Sequence, residues 1–282
     1  MTLINQGDGT LQFAEVNGVR LAYTTTGDAD VPLLLVHGSW GSHNTWDPVV
    51  AGLSQHFRVV AYDRRGHSAS SCPPCQGSFR EDVADLAALI ERLGLAPAWV
   101  AGNSAGACIT LQLAAARPEM LRGIIVHEPP LWSLIEEGTP AAAALAQIES
   151  GPLAEAVRRI AAGDHKGGAQ QFVDQVALGP GAWAGMPEPM RRTMVENAPT
   201  FLDEDNDPDS RSIDEAALTR FHGPVLITSG DQSPPIFEPV LDRIHALLPQ
   251  AARIDFEGAG HIPHVTHPGE YVEEVVAFGS TA

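Results

Sequence analysis

Gly102-Asn103-Ser104-Ala105-Gly106, a G-x-S-x-G pentapeptide, separates two runs of contrasting character. Before it, Ala98-Trp99-Val100-Ala101 reads as a short buried strand. After it, Ala107 to Arg117 is rich in Ala, Leu and Ile and stops before Pro118, as a helix does. A serine on so sharp a strand-to-helix turn is forced into strained backbone geometry, with room for little but glycine two residues to either side. Its hydroxyl then stands clear at the edge of a sheet, and the next backbone N–H points to where an oxyanion could form.

The rest of the chain supplies a sheet for that turn. Leu11 to Val16 and Val19 to Tyr23 flank Asn17-Gly18, the dipeptide best suited to a type I′ turn, and predict a hairpin. Continuous apolar runs follow at Pro32 to Val36, Phe57 to Tyr62, Leu121 to Val126, Pro224 to Thr228 and Ala252 to Phe256. Such runs suit strands buried on both faces of a parallel sheet. Helices fall between them. The clearest opens on a capping box, Ser78 to Glu81, sets Val83, Leu86, Ile90 and Leu93 on one face, and stops at Gly94. The expected fold is α/β: a doubly wound, mostly parallel sheet with an antiparallel N-terminal edge. Residues 131–212 contain no convincing strand, but they carry more large apolar side chains than short connections need. They are expected to form an inserted helical lid over a core made of residues 1–130 and 213–282. The acidic stretch Asp203 to Asp209 reads as the lid's polar return to that core.

Composition narrows the partners. With 282 residues the chain can bury one sizeable core, and its net charge of -18 argues against nucleic acid and anionic membrane surfaces. No run approaches the roughly 18 apolar residues of a membrane helix. The N-terminal residues show no basic, then apolar, signal pattern, so a cytoplasmic location is expected, as a monomer or homodimer. Three cysteines make no disulfide framework. Cys72-Pro73-Pro74-Cys75 has redox or metal spacing but reads as an exposed loop with two thiols.

A serine hydroxyl needs a base, an orienter for that base, and donors for the oxyanion. The base candidate is His261, in Gly258-Ala259-Gly260-His261 just after the last expected strand. His264 and His267 follow at three-residue spacing, but Pro263 and Pro268 break any helix that would align the rings. No metal and no cofactor are therefore expected. The oxyanion donors would be the N–H groups of Ala105 and of Ser39, which follows His37-Gly38. His37 itself reads as structural, and Trp46 as lining the pocket or packing beneath it. Asp63-Arg64-Arg65-Gly66-His67-Ser68 reads as a turn with a charged pair. Trp40, Trp132, Trp183, Met186 and His264 are the expected substrate-binding residues. Two carboxylates, Glu128 and Asp231, follow strands at the same sheet edge and could each orient the histidine.

Together, Val36-His37-Gly38, Tyr62 to Ser68, the Ser104 turn and Gly260-His261 resemble the α/β-hydrolase superfamily over nearly the whole chain. These motifs speak for the fold far more than for the substrate. A serine at the turn departs from the aspartate of haloalkane dehalogenases and epoxide hydrolases. The resemblance therefore implies cleavage of a small-molecule carboxylic ester or lactone. The commonest family pattern wants an Asp where this chain has Ser233. His127-Glu128-Pro129-Pro130, the proline-bearing turn at Pro234-Pro235 and the histidine-proline pattern from His261 to Pro268 look instead like zearalenone-type lactonases, which implies Glu128 as the acid. Two rivals share the fold: a cofactor-free dioxygenase, and a small-molecule receptor that turns over slowly.

Overall fold

The computed structural model describes residues 7–72 and 76–281, so the Cys72 to Cys75 motif lies partly outside the described residues. The strands are β1 (Gly7–Asp8), β2 (Gln12–Val16), β3 (Val19–Gly27), β4 (Pro32–Val36), β5 (Arg58–Tyr62), β6 (Ala98–Asn103), β7 (Leu121–His127), β8 (Val225–Gly230) and β9 (Ala252–Phe256). They form one sheet in the order β1-β3-β5-β4-β6-β7-β8-β9, with β2 paired to β3. From β5 to β9 every pairing is parallel, and β3 joins β5 antiparallel. The hairpin turn has Asn17 at φ 45° and Gly18 at φ 78°, both left-handed, as a type I′ turn requires.

Alternation along β4 explains the two layers. Leu33 and Leu35 face one side of the sheet and Leu34 and Val36 the other. On the first side they meet Val49 and Leu53 of helix Asp47–Leu53 and Tyr271 and Val275 of helix Pro268–Thr281. On the second they join a cluster containing Leu86 and Ile90 of helix Phe79–Arg92 and Ile109 of helix Ala105–Ala116. Each of the three leucines is fully buried and contributes roughly 1.5–3 kcal/mol of burial free energy. Half of the expected capping box forms: the N–H of Glu81 donates to the Ser78 hydroxyl at 3.3 Å, and the Glu81 carboxylate accepts from that hydroxyl instead of from the Ser78 N–H.

Between β7 and β8 no strand appears among the described residues. Helices Pro140–Ile148, Ala154–Ala161, His165–Phe172, Glu188–Asn197 and Thr200–Asn206 carry most of this segment. They share a separate apolar cluster that includes Leu153, Ile160, Val173, Trp183 and Phe201 and takes in Trp40 from the core. The acidic return differs from expectation. Glu204 and Asp207 are buried, with Glu204 Oε1 accepting from Arg64 Nη1 at 2.8 Å and Asp207 Oδ2 from the N–H of Phe79 at 2.7 Å. Both core groups need an outside acceptor: Arg64 is buried, and the first N–H of a helix has no partner within it. No helix among the described residues is long and apolar enough to cross a membrane.

Candidate active site

Ser104 caps β6 with φ 55° and ψ -122°, a conformation that costs a β-carbon-bearing residue of order 1–3 kcal/mol. The surroundings leave it no alternative. A β-carbon at Gly102 would stand 2.3 Å from the carbonyl oxygen of Gly106, and one at Gly106 would stand 2.1 Å from that of Val36. Backbone therefore meets backbone on both sides of the turn. The N–H of Ser104 donates to the His127 carbonyl at 2.9 Å, which ties the turn to β7.

The next residue past β7, Glu128, also lies at positive φ, 44°. This kink at the strand tip swings its wholly buried carboxylate toward β8 and the last loop. Oε1 accepts from the N–H of Gly230 at 2.8 Å, and Oε2 meets His261 Nδ1 at 2.6 Å. A proton on Nδ1 leaves Nε2 as the acceptor of the imidazole. The His261 ring is fixed further by stacking on Phe237 at 4.9 Å, and its carbonyl accepts from Asn103 Nδ2 at 2.8 Å. Burial pushes the Glu128 carboxyl up, but the imidazoles of His127 and His261 outweigh it and hold the group below the ordinary carboxylate range. Asp231 is placed elsewhere. It is exposed, and its Oδ1 accepts from the N–H of Gly258 at 2.8 Å and from Gln232 Nε2 at 3.1 Å, a turn-closing role.

His127, Glu128 and His261 offer donor atoms within 4.8 Å of one another, the grouping a metal ion would need. The 2.6 Å contact of Glu128 with His261 is a hydrogen-bond length. Two donors held tetrahedrally on zinc at about 2.0 Å each stand about 3.3 Å apart. Glu128 and His261 are thus a hydrogen-bonded pair, while His127 Nε2 stands 3.5 Å from the same carboxylate oxygen and its Nδ1 meets the Thr228 hydroxyl at 2.9 Å.

Ser104 and His261 border two cavities. One, of about 100 Å³, also touches Ser39, Ala105, Trp132, Phe172, Phe237 and Glu204. The other, of about 530 Å³, also touches Ser39, Trp40, Met186, Met190 and Thr193. Ala105 begins a helix, so its N–H has no acceptor within that helix. Ser39 follows Gly38, where a β-carbon would come within 3.1 Å of Ser104 Cβ, so this loop packs directly on the serine turn.

Trp132, Trp40 and Met186 thus border the cavities, and two other expected lining residues do not. Trp183 is buried in the apolar cluster of the inserted helices, because its large ring is the filler that short helices need to hold together. His264 lies beneath the site, fully buried, with its ring 4.3 Å from Trp46 and 5.9 Å from Tyr271. Neither of its ring nitrogens has a hydrogen-bond partner, and burial pushes its pKa well down. His37 has the structural place expected of it: Nε2 accepts from the N–H of Arg64 at 3.0 Å, and Nδ1 donates to Gly38 O at 2.8 Å. The expected charged-pair turn is a larger buried network in which Arg64 binds both Asp82 and Glu204. Phe237 and Glu204 border the site without having been singled out by sequence. Phe237 has a sequence signal, two residues past Pro235 in the proline-bearing turn that follows β8.

The chain is similar over part of its length to a hydrolase of Bacillus subtilis (strain 168), YraK, described as uncharacterized. Identity is 36% over 137 residues, which are 48% of this chain and 48% of that protein, so the match spans about half the relative's length. Among solved structures it is similar to Est816, described as an N-acyl homoserine lactone degrading enzyme, with a TM-score of 0.74, 20% identity, and coverage of 95% of this chain and 100% of that one. It is similar also to the enol-lactonase from Burkholderia xenovorans LB400, with a TM-score of 0.76, 19% identity and coverage of 95% and 100%. At these identities the likeness is one of fold. The sheet order, the serine turn and a match to the family pattern over residues 31–268 agree, and the chain belongs to the alpha/beta hydrolase fold family.

Proposed function

We propose that the chain is a serine hydrolase that cleaves a carboxylic ester or lactone through an acyl-enzyme on Ser104. The observation that carries this reading is the 2.6 Å contact of Glu128 with His261 Nδ1, beside a strained Ser104 that opens onto the same cavities. In this reading His261 Nε2 takes the Ser104 proton as Oγ attacks the carbonyl carbon. The tetrahedral oxyanion is held by the N–H groups of Ser39 and Ala105. His261 then returns the proton to the departing alcohol oxygen, and a water activated by the same nitrogen hydrolyses the acyl-enzyme. Glu128 keeps the imidazole in the tautomer that can accept and stabilises the imidazolium that forms.

Residues 131–212 act as the lid, with Trp132, Trp40 and Met186 as walls. Two cavities meeting at one serine suit a substrate bulky on both sides of its carbonyl, which supports a lactone of the zearalenone type as the finer reading. A fluorophosphonate probe followed by mass spectrometry tests the nucleophile. Label is expected on Ser104, and Ser104→Ala is expected to lose several orders of magnitude in turnover. A panel of macrocyclic aryl lactones, acyl homoserine lactones and linear esters tests the substrate. Label elsewhere, or near-normal turnover by Ser104→Ala, would sink the mechanism.

A further inference from the structure

The loop from Gly38 to Gly41 is a tight turn, closed by the Gly41 N–H on the Gly38 carbonyl at 3.3 Å. Within it Trp40 sits at φ 68°, which a bulky side chain occupies only when its surroundings hold it there. The holding groups come from the inserted helices. Phe172 and Phe201 pack on the Trp40 ring at 5.1 and 4.8 Å. Asn197 Nδ2 donates to the Gly41 carbonyl at 2.7 Å. Glu204 Oε2 accepts from the Ser39 hydroxyl at 2.5 Å, while its Oε1 is pinned by Arg64, itself bound to Asp82 of the core. One carboxylate thus joins the lid, the core and the residue whose N–H is assigned to the oxyanion.

We infer that Glu204 is a positioning residue that sets the Ser39 N–H of the oxyanion site from the lid, so that the lid builds part of the catalytic apparatus as well as the substrate wall. The inference rests on the serine hydrolase reading. Glu204 acts through Ser39 and Arg64 and performs no chemistry itself. Displacing a donor by about 1 Å can cost 10²-fold in rate, because the oxyanion exists only near the transition state.

The test uses Ser39→Ala, Glu204→Gln, Glu204→Ala and the double variant Ser39→Ala/Glu204→Ala. Each is assayed for kcat and KM on phenyl acetate, for the rate of fluorophosphonate labelling, and for Tm. Glu204→Ala is expected to lower kcat about ten- to hundredfold with KM within about threefold, and to slow labelling in parallel, since the phosphonyl oxygen uses the same donors. Ser39→Ala is expected to fall in the same direction, and the double variant to be no worse than Glu204→Ala, as for groups in one chain of contacts. Asp203→Ala, which loosens the same helix by removing the Oδ2 that accepts from the Gly77 N–H at 3.1 Å, is expected to keep kcat. An equal loss there, additive losses in the double variant, or a change in KM alone would overturn the role of Glu204. Should Glu204→Ala not fold, Glu204→Gln and Ser39→Ala decide. Wild-type protein unlabelled at Ser104 would overturn the hydrolase reading and this inference with it. Labelling of Ser104 at the same rate in all variants would overturn this inference alone.

Discussion

Glu128 and His261 are 133 residues apart in sequence and 2.6 Å apart at Oε2 and Nδ1. The contact depends on a backbone kink, because only with φ at 44° does the glutamate leave β7 toward the histidine loop. Pro129 and Pro130 then prevent the strand from continuing. The first expectation follows from this geometry. Glu128→Gln should lose up to about 10⁴ in turnover with the fold kept, since a neutral amide can fix the wrong tautomer. Asp231→Asn should lose at most about tenfold. Turnover of a nitrophenyl ester by the two variants checks the assignment, and the reverse order would move the acid to Asp231.

Two tryptophans of the inserted segment should part company. Trp132 borders the smaller cavity, 5.3 Å from Phe237, whereas Trp183 is buried within the helical cluster. Trp132→Ala should reorder a panel of bulky esters and lactones while a small activated ester is turned over at close to the normal rate. Trp183→Ala should cost about 3–5 kcal/mol of stability and keep the substrate order among folded molecules. Urea unfolding beside the panel separates them; a reordered panel for Trp183→Ala would return that residue to the pocket wall.

Acid should weaken the fold before it reaches the carboxylates. Burial pushes His37, His67, His127 and His264 down, His67 to about 3. In the unfolded chain each takes a proton near pH 6.5. The unfolded state therefore binds more protons as pH drops below about 6.5, and stability is lost from there at up to about 1.4 kcal/mol per pH unit for each such histidine. His43 differs: burial lowers it, but Asp63 outweighs that and raises it. Its contribution is complete below the unfolded value and does not offset the slope. Glu128, held low in the fold, adds a loss of the same sign below about pH 4.3. His264→Leu removes one buried proton acceptor whose nitrogens have no partner, so unfolding between pH 6.5 and 5 should show a shallower slope. An unchanged slope would contradict the assignment.

What the sequence reveals here is what short-range rules encode. Asn17-Gly18 needs left-handed backbone at both positions, and Pro32 to Val36 has no polar residue with which to face water. In the Ser104 turn Gly102 is required by Gly106 within the same pentapeptide, and the pentapeptide pattern itself marks Gly106, although the carbonyl that excludes a side chain there, that of Val36, comes from β4. Glu204 is different. Among Asp203, Glu204, Asp205, Asp207 and Asp209 nothing local tells the buried carboxylates from the solvated ones, because the partner that decides, Arg64, is 140 residues away. His264 misleads for the same reason. Its spacing from His261 suggests the same cavity, but Trp46 and Tyr271, from opposite ends of the chain, enclose it.

The glycine contacts beneath Ser104 have a mechanical consequence. Where a β-carbon at Gly102 or Gly106 would strike the carbonyls of Gly106 and Val36, backbone lies close to backbone and no torsion of a side chain can absorb a shift. Warming that sets core leucines hopping between rotamers leaves such a joint unmoved, and the serine keeps its height above the sheet. The opposite wall of the site, by contrast, is made of long side chains, Met186, Met190 and Phe172 among them. If Ser104 is the nucleophile proposed above, the molecule is hard on the side that reacts and soft on the side that selects, and adaptation to a new substrate would have compliance to work with among residues 131–212 and none beneath the serine.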